Sequence, residues 1–270
     1  MKIKGYNIRF IEKGEGFPLL LIHGLGASLE WWQFNIDCIS QKYRVIAFDF
    51  LGFGYSTKSL EEYSLSYASE FLISLLDAFK IEKAILIGNS MGGIIALNTA
   101  IQFQQRVEKL VLVSNAGFGR KLSYLLCLGS IFPIGELALA LRNEFTVRIL
   151  LSQLFSDPKK LPLNLIHCVQ KIFDLHRSPD AFLKTLRSGV NIRGLKKAVW
   201  HPVVKKAPSL PHPTLIIWGE HDKIIPVYQA YLGHKLIKHS ELCILKKCGH
   251  TPQVERPDEF NRLVLEFLEP

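Results

Sequence analysis

Gly88-Asn89-Ser90-Met91-Gly92 lies between an apolar run, Ala84-Ile85-Leu86-Ile87, and a second one, Gly93-Ile94-Ile95-Ala96-Leu97. The first run reads as a buried strand and the second as the opening of a helix. A strand that turns abruptly into a helix through G-x-S-x-G holds its serine in a strained backbone conformation, with Oγ exposed at the tip of a sheet. Glycine on either side lets the two backbones approach without a Cβ between them. By composition alone the pentapeptide turns up in about one chain in ten of this length. Its weight comes from the strand-and-helix setting and from the residues that accompany it elsewhere in the chain.

Two later segments supply partners for that serine. Pro213-Thr214-Leu215-Ile216-Ile217-Trp218-Gly219-Glu220-His221-Asp222 reads as a buried strand ending in a turn that carries a carboxylate, and Leu242-Cys243-Ile244-Leu245 runs on into Lys246-Lys247-Cys248-Gly249-His250. The order Ser90, Asp222, His250 is the nucleophile–acid–base order of the α/β-hydrolases. Leu19-Leu20-Leu21-Ile22-His23-Gly24-Leu25-Gly26 resembles the His-Gly turn after an early strand of that family, and Asp49-Phe50-Leu51-Gly52-Phe53-Gly54-Tyr55-Ser56 resembles its D-x-x-G-x-G-x-S loop. The resemblance runs from about Tyr6 to Phe267 apart from a middle segment. It implies an α/β fold: a mostly parallel, doubly wound sheet with an inserted helical cap.

The periodicity agrees with that expectation. Strand signals fall at Asn7–Glu12, Leu19–His23, Arg44–Asp49, Ala84–Ile87, Lys109–Ser114, Thr214–Trp218 and Glu241–Leu245, and helical ones at Leu65–Phe79, Met91–Phe103, Val227–Ile237 and Glu259–Leu268. The later strands are unbroken apolar runs alternating with helices, as in a parallel sheet covered on both faces. Between Ser114 and Thr214 the alternation stops, and only helical patterns appear. The chain therefore divides into a first core part (1–116), a helical cap insertion (117–206) and a second core part (207–270).

The expected chemistry follows from residue type. A serine hydroxyl is a weak nucleophile until a base stands within hydrogen-bond reach. His250 is the expected base, and Asp222 the carboxylate that orients its imidazole. Glu220 is the alternative acid. The backbone N–H groups of Leu25 and Met91 are the expected oxyanion donors. Asn89, Phe132 and Phe145 are the candidate substrate-binding residues. This chemistry needs no metal and no cofactor.

A serine at position 90 argues against the epoxide hydrolases and haloalkane dehalogenases of this fold, which attack with aspartate. It favours acyl-enzyme chemistry on esters, thioesters or amides, or related C–C hydrolysis, and the apolar cap residues Phe132, Phe145, Phe155 and Phe173 make a small-molecule lipophilic carboxylic ester the expected substrate. Asn89-Ser90-Met91-Gly92-Gly93 also resembles the meta-cleavage-product hydrolases, which cleave C–C bonds with the same triad. Those enzymes have Trp after the base, where this chain has Thr251, and a cap arginine, where Leu163 to Lys171 has none. A hydrolase-fold ligand receptor with slow turnover and an acyl transferase are further alternatives.

Composition narrows the remaining classes. With 270 residues, 48% of them hydrophobic, the chain buries a full core without disulfides. Five widely spaced cysteines with no C-x-x-C pair fit a reducing compartment, and the first residues lack an apolar signal core, so a cytoplasmic location is expected. The net charge of +9 is spread over Lys pairs with no nucleic-acid module, so no nucleic-acid partner is expected. Leu122 to Leu141 is nearly uncharged but broken by Gly129, Pro133, Gly135 and Glu136. It is assigned to a buried or cavity-lining part of the cap, with peripheral membrane contact as the lesser reading.

Overall fold

The computed structural model describes residues 1–59 and 63–269. Seven strands form the central sheet: β1 (Phe10–Lys13), β2 (Pro18–Ile22), β3 (Arg44–Phe48), β4 (Ala84–Asn89), β5 (Val107–Val113), β6 (Thr214–Gly219) and β7 (Ser240–Leu245). Their spatial order is β7-β6-β5-β4-β2-β3-β1. Only β1 runs antiparallel.

The apolar runs form central strands because both sheet faces are covered. Successive side chains of a strand point to opposite faces, and here each residue pair divides accordingly. Leu20, Ile22, Ile46, Phe48, Leu86, Leu112, Ile216 and Trp218 enter one core layer. Leu19, Leu21, Val45, Ala47, Ile85, Ile87, Val111, Val113, Leu215 and Ile217 enter the other. The first layer packs on α1 (Leu65–Ala78) and α2 (Met91–Gln102), and the second on Phe260, Val264 and Leu268 of the C-terminal helix Pro257–Leu268. Those three residues recur every fourth position, one stripe of a helix.

Between β5 and β6 the chain forms an insert of six helices: α3 (Tyr124–Gly129), α4 (Ile134–Ala140), α5 (Glu144–Ser152), α6 (Leu163–Phe173), α7 (Ser178–Gly189) and α8 (Lys197–Lys206). Phe155, Leu165, Ile166, Val169 and Phe173 form its own core, which joins the sheet-bearing part through Ala27, Trp31 and Val254. Asn143 caps α5 by accepting from Thr146 N–H, while Thr146 Oγ1 accepts from Asn143 N–H. This reciprocal arrangement fixes where that helix starts.

Two expectations need correction. The Asn7–Glu12 strand is two pieces: Tyr6–Asn7 pairs with Lys2–Ile3, and only Phe10–Lys13 joins the main sheet. The insert is not purely helical, because Val190–Asn191 pairs with Gly194–Leu195 in a small hairpin too short to leave a buried-strand run in the sequence. Leu122 to Leu141 lines the cavities with one side, through Leu122, Leu126 and Leu139, and exposes Tyr124, Leu125, Phe132, Ile134, Leu137 and Leu141 on the other.

Candidate active site

Ser90, Asp222, His250 and the Gly24-Leu25 turn all follow the C-terminal ends of parallel strands, β4, β6, β7 and β2 respectively. Ligand sites of open α/β sheets lie at this edge. Ser90 has φ 57° and ψ −114°, an unfavourable conformation for a residue with a side chain. Its surroundings hold it there. Its N–H donates to Val113 O at 2.9 Å, and its carbonyl accepts from Ala116 N–H at 3.1 Å. A Cβ on Gly88 would collide with Gly92 O, and one on Gly92 would lie 2.7 Å from His23 O. Alanine at either position is therefore expected to push strand, turn and helix apart.

The acid and base loops are laced together. His221 N–H donates to Cys248 O at 2.8 Å and Glu220 N–H to Leu245 O at 3.0 Å. Asp222 is buried. Its Oδ1 accepts from Ile224 N–H at 2.8 Å and Ile225 N–H at 2.9 Å, and its Oδ2 accepts from His250 Nδ1 at 2.8 Å. With Nδ1 committed to Asp222, His250 offers Nε2 as its proton acceptor. Ser90 and His250 line the same cavity, and the Ser90 hydroxyl makes no hydrogen bond among the described residues. Glu220 is half-exposed, accepts from Lys247 N–H at 3.2 Å, and does not reach His250.

The turn after β2 comes up against the serine. A Cβ on Gly24 would stand 3.2 Å from Ser90 Cβ, which places Leu25 beside the nucleophile. His23 shapes the turn: its Nε2 accepts from Phe50 N–H at 2.9 Å, so the proton sits on Nδ1, which donates to Gly24 O at 2.8 Å. Burial pushes the His23 pKa down despite nearby Asp49, and the ring stays neutral. The Leu25 and Met91 N–H groups enter no hydrogen bond among the described residues. Met91 opens α2, where an N–H has no intrahelical acceptor. Two free donors thus flank Ser90, the arrangement that suits an oxyanion.

Two chambers meet at Ser90. One, of about 470 Å³, is walled by residues that include Leu65, Ile94, Leu122, Val190 and Val199, with no charged side chain on it among the described residues. The other, of about 260 Å³, lies under the insert against Leu139, Val147, Leu151, Phe173 and Phe182, and includes His250. Leu25, Leu126, Leu186 and Ile224 belong to both walls. Among the described residues Arg142 is the one Lys or Arg on either lining; its Nη1 donates to Leu139 O at 2.7 Å and its Nη2 to Phe173 O at 3.0 Å and Asp174 Oδ1 at 2.9 Å, while its buried Nε has no partner.

Of the three substrate-binding candidates, only Asn89 is on the cavity wall, and its amide is tied to Val113 O and His250 O, both at 3.1 Å. Asn89 thereby holds the base loop. Phe132 and Phe145 are 75% and 71% exposed and line neither chamber. Val147, two positions and about 200° of helix rotation beyond Phe145, takes the inward place on α5. Phe132 stands in the turn before Pro133, outside α4.

Sequence reasoning missed Glu255. This buried carboxylate accepts from Gly249 N–H at 2.6 Å and Ser156 N–H at 3.1 Å through Oε2, and from Asp157 N–H at 3.0 Å through Oε1. His250 N–H itself donates to Leu154 O at 2.7 Å, so the base loop is bonded to the insert. No motif marks Glu255, only an acid amid residues that are otherwise buried. Glu255→Gln replaces one accepting oxygen by a donor facing other donors. It is expected to cost about 1–3 kcal/mol of stability and to lower kcat by disordering His250; thermal melts alongside kinetics check both.

Residues 18–257 match the α/β-hydrolase fold family. A 2-hydroxymuconate semialdehyde hydrolase of Pseudomonas sp. (strain CF600) is 30% identical over 98% of this chain and 91% of its own. The dihydrolipoyllysine-residue acetyltransferase component of an acetoin cleaving system from Pseudomonas putida is 33% identical over 99% of this chain and 68% of its own. A meta-cleavage product hydrolase from Pseudomonas fluorescens IP01 superposes with a TM-score of 0.84 at 28% identity, over 98% of this chain and 95% of that one. The chain belongs to the α/β-hydrolase fold family, and it is a hydrolase.

Proposed function

We propose that this hydrolase cleaves a lipophilic carboxylic ester through an acyl-enzyme on Ser90, with the insert acting as the cap over the substrate. The observation that carries this reading is the pair of apolar chambers meeting at Ser90, on which the one Lys or Arg among the described residues, Arg142, has both Nη groups already bonded. Ser90 Oγ attacks the ester carbonyl as His250 Nε2 takes its proton, and Asp222 stabilises the resulting imidazolium. The Leu25 and Met91 N–H groups hold the oxyanion. His250 then returns the proton to the departing alkoxide, and a water hydrolyses the acyl-enzyme by the same route in reverse. Since the proton donor must reach the leaving oxygen, the alcohol side occupies the 260 Å³ chamber that His250 lines, and the acyl chain the 470 Å³ one.

A C–C hydrolase is the second reading, favoured by the likeness to the two meta-cleavage-type enzymes. An anionic dienoate needs a cation freed to meet it, and here Arg142 would have to leave three acceptors. A panel of p-nitrophenyl esters beside a vinylogous dienoate diketone tests the choice. Each CH₂ buried contributes about 0.8 kcal/mol, so kcat/KM should climb about three- to fourfold per methylene until the chamber is full. Efficient dienoate cleavage with negligible ester turnover would overturn the ester reading in favour of C–C cleavage.

A further inference from the structure

The insert concentrates charge as well as apolar surface. Residues 117–206 carry fifteen Lys and Arg against five Asp and Glu, a net +10, while the other 180 residues sum to −1. The whole positive balance of the protein therefore belongs to the insert. On the same segment stand its most exposed large apolar side chains: Phe132 (75%), Leu141 (72%), Phe145 (71%) and Tyr124 (69%), with Leu125, Leu137 and Ile149 also exposed.

Part of the same segment borders the active-site chamber. Helices α3, α4 and α5 all contribute to the wall of the 260 Å³ chamber, through Leu126, Leu139 and Leu151 among others. Leu125 of α3 and Leu150 of α5 lie on that wall and are also exposed to solvent. Apolar surface thus runs from the outside of the insert into the chamber that holds Ser90 and His250. Arg120, Lys121 and Arg148 are exposed next to this surface in the chain, and none forms an ion pair among the described residues. No helix among the described residues is long and apolar enough to cross a membrane.

We propose that the outer face of α3–α5 docks on the surface of an anionic phospholipid bilayer, with Phe132, Leu141 and Phe145 entering the headgroup boundary and Arg120, Lys121 and Arg148 facing the lipid phosphates. Exposed aromatic and aliphatic side chains flanked by cations suit an interfacial site, where apolar burial and attraction to anionic lipid add. A second protein copy would bring another +10 insert against this one, which charge repulsion opposes. Docking would set the mouth of the chamber against the bilayer, so that a lipophilic substrate enters directly from it.

Flotation of the full chain with vesicles tests this without any turnover, and so independently of the ester reading. Vesicles of phosphatidylcholine alone are compared with vesicles containing phosphatidylglycerol. The protein is expected to float with the anionic vesicles, to stay behind with the neutral ones, and to be released by high salt. Phe132→Ser/Leu141→Ser/Phe145→Ser, on exposed positions, should retain the wild-type circular dichroism spectrum and lower binding about tenfold or more. Lys121→Gln/Arg148→Gln should weaken binding to anionic vesicles by a smaller factor. Absence of binding to anionic vesicles, equal binding to both kinds, or full binding by the folded triple variant would overturn the proposal. So would a concentration-dependent dimer in sedimentation velocity that the triple variant abolishes, since the face would then belong to a second copy.

Discussion

Replacing Ser90 with alanine is expected to reduce turnover on the order of 10⁴-fold or more while leaving the fold unchanged. The loss is large because His250 has nothing to activate once the hydroxyl is gone, and triad members act as a unit. Stability should not fall, since removing the hydroxyl takes away no hydrogen bond among the described residues. A fluorophosphonate probe should label the wild type at Ser90 and leave the alanine variant unlabelled. Wild-type-like turnover by the variant, or labelling at another serine, would remove Ser90 from the mechanism.

Asp222→Asn should lower kcat by about 10⁴ with little change in KM. Asp222 Oδ2 accepts from His250 Nδ1, and its Oδ1 accepts from two backbone N–H groups. An asparagine that keeps its oxygen on those N–H groups turns its NH₂ toward His250, where it must meet a lone pair. The imidazole then carries its proton on Nε2, facing the serine as a donor where a base is needed. Ground-state binding is untouched because the carboxylate lines neither chamber. Glu220→Gln is the control: that side chain contacts Lys247 N–H and lies near His221, not His250, so its effect should be small. A crippling Glu220→Gln with a mild Asp222→Asn would reverse the assignment of the acid.

The sheet was legible because its central strands are buried on both faces, which leaves unbroken apolar runs at Ala84–Ile87 and Thr214–Trp218 that few other elements imitate. The edge was harder. At Asn7–Glu12 the partner changes from Lys2–Ile3 to β3 within a few residues, and alternation along one chain carries no record of what it pairs with. The positions of Ser90, Asp222 and His250 were legible because each ends a strand at a glycine-bearing turn. The walls of the chambers were not. An apolar helix over a cavity has two apolar faces, so composition named Phe132 and Phe145 where geometry selects Val147, Leu151 and Phe182. Glu255 was silent for another reason. Its partners at 156, 157 and 249 meet it only after folding, and an isolated acid in sequence looks like a surface residue.

The acyl-enzyme itself offers the most direct test of the proposed chemistry. The purified protein is mixed with a medium-chain p-nitrophenyl ester, quenched in acid during steady turnover, digested and analysed by mass spectrometry. The mass of the acyl group is predicted on the peptide that contains Ser90, in wild type and not in Ser90→Ala. Steady release of product with Ser90 unmodified and the acyl group on another residue would contradict it.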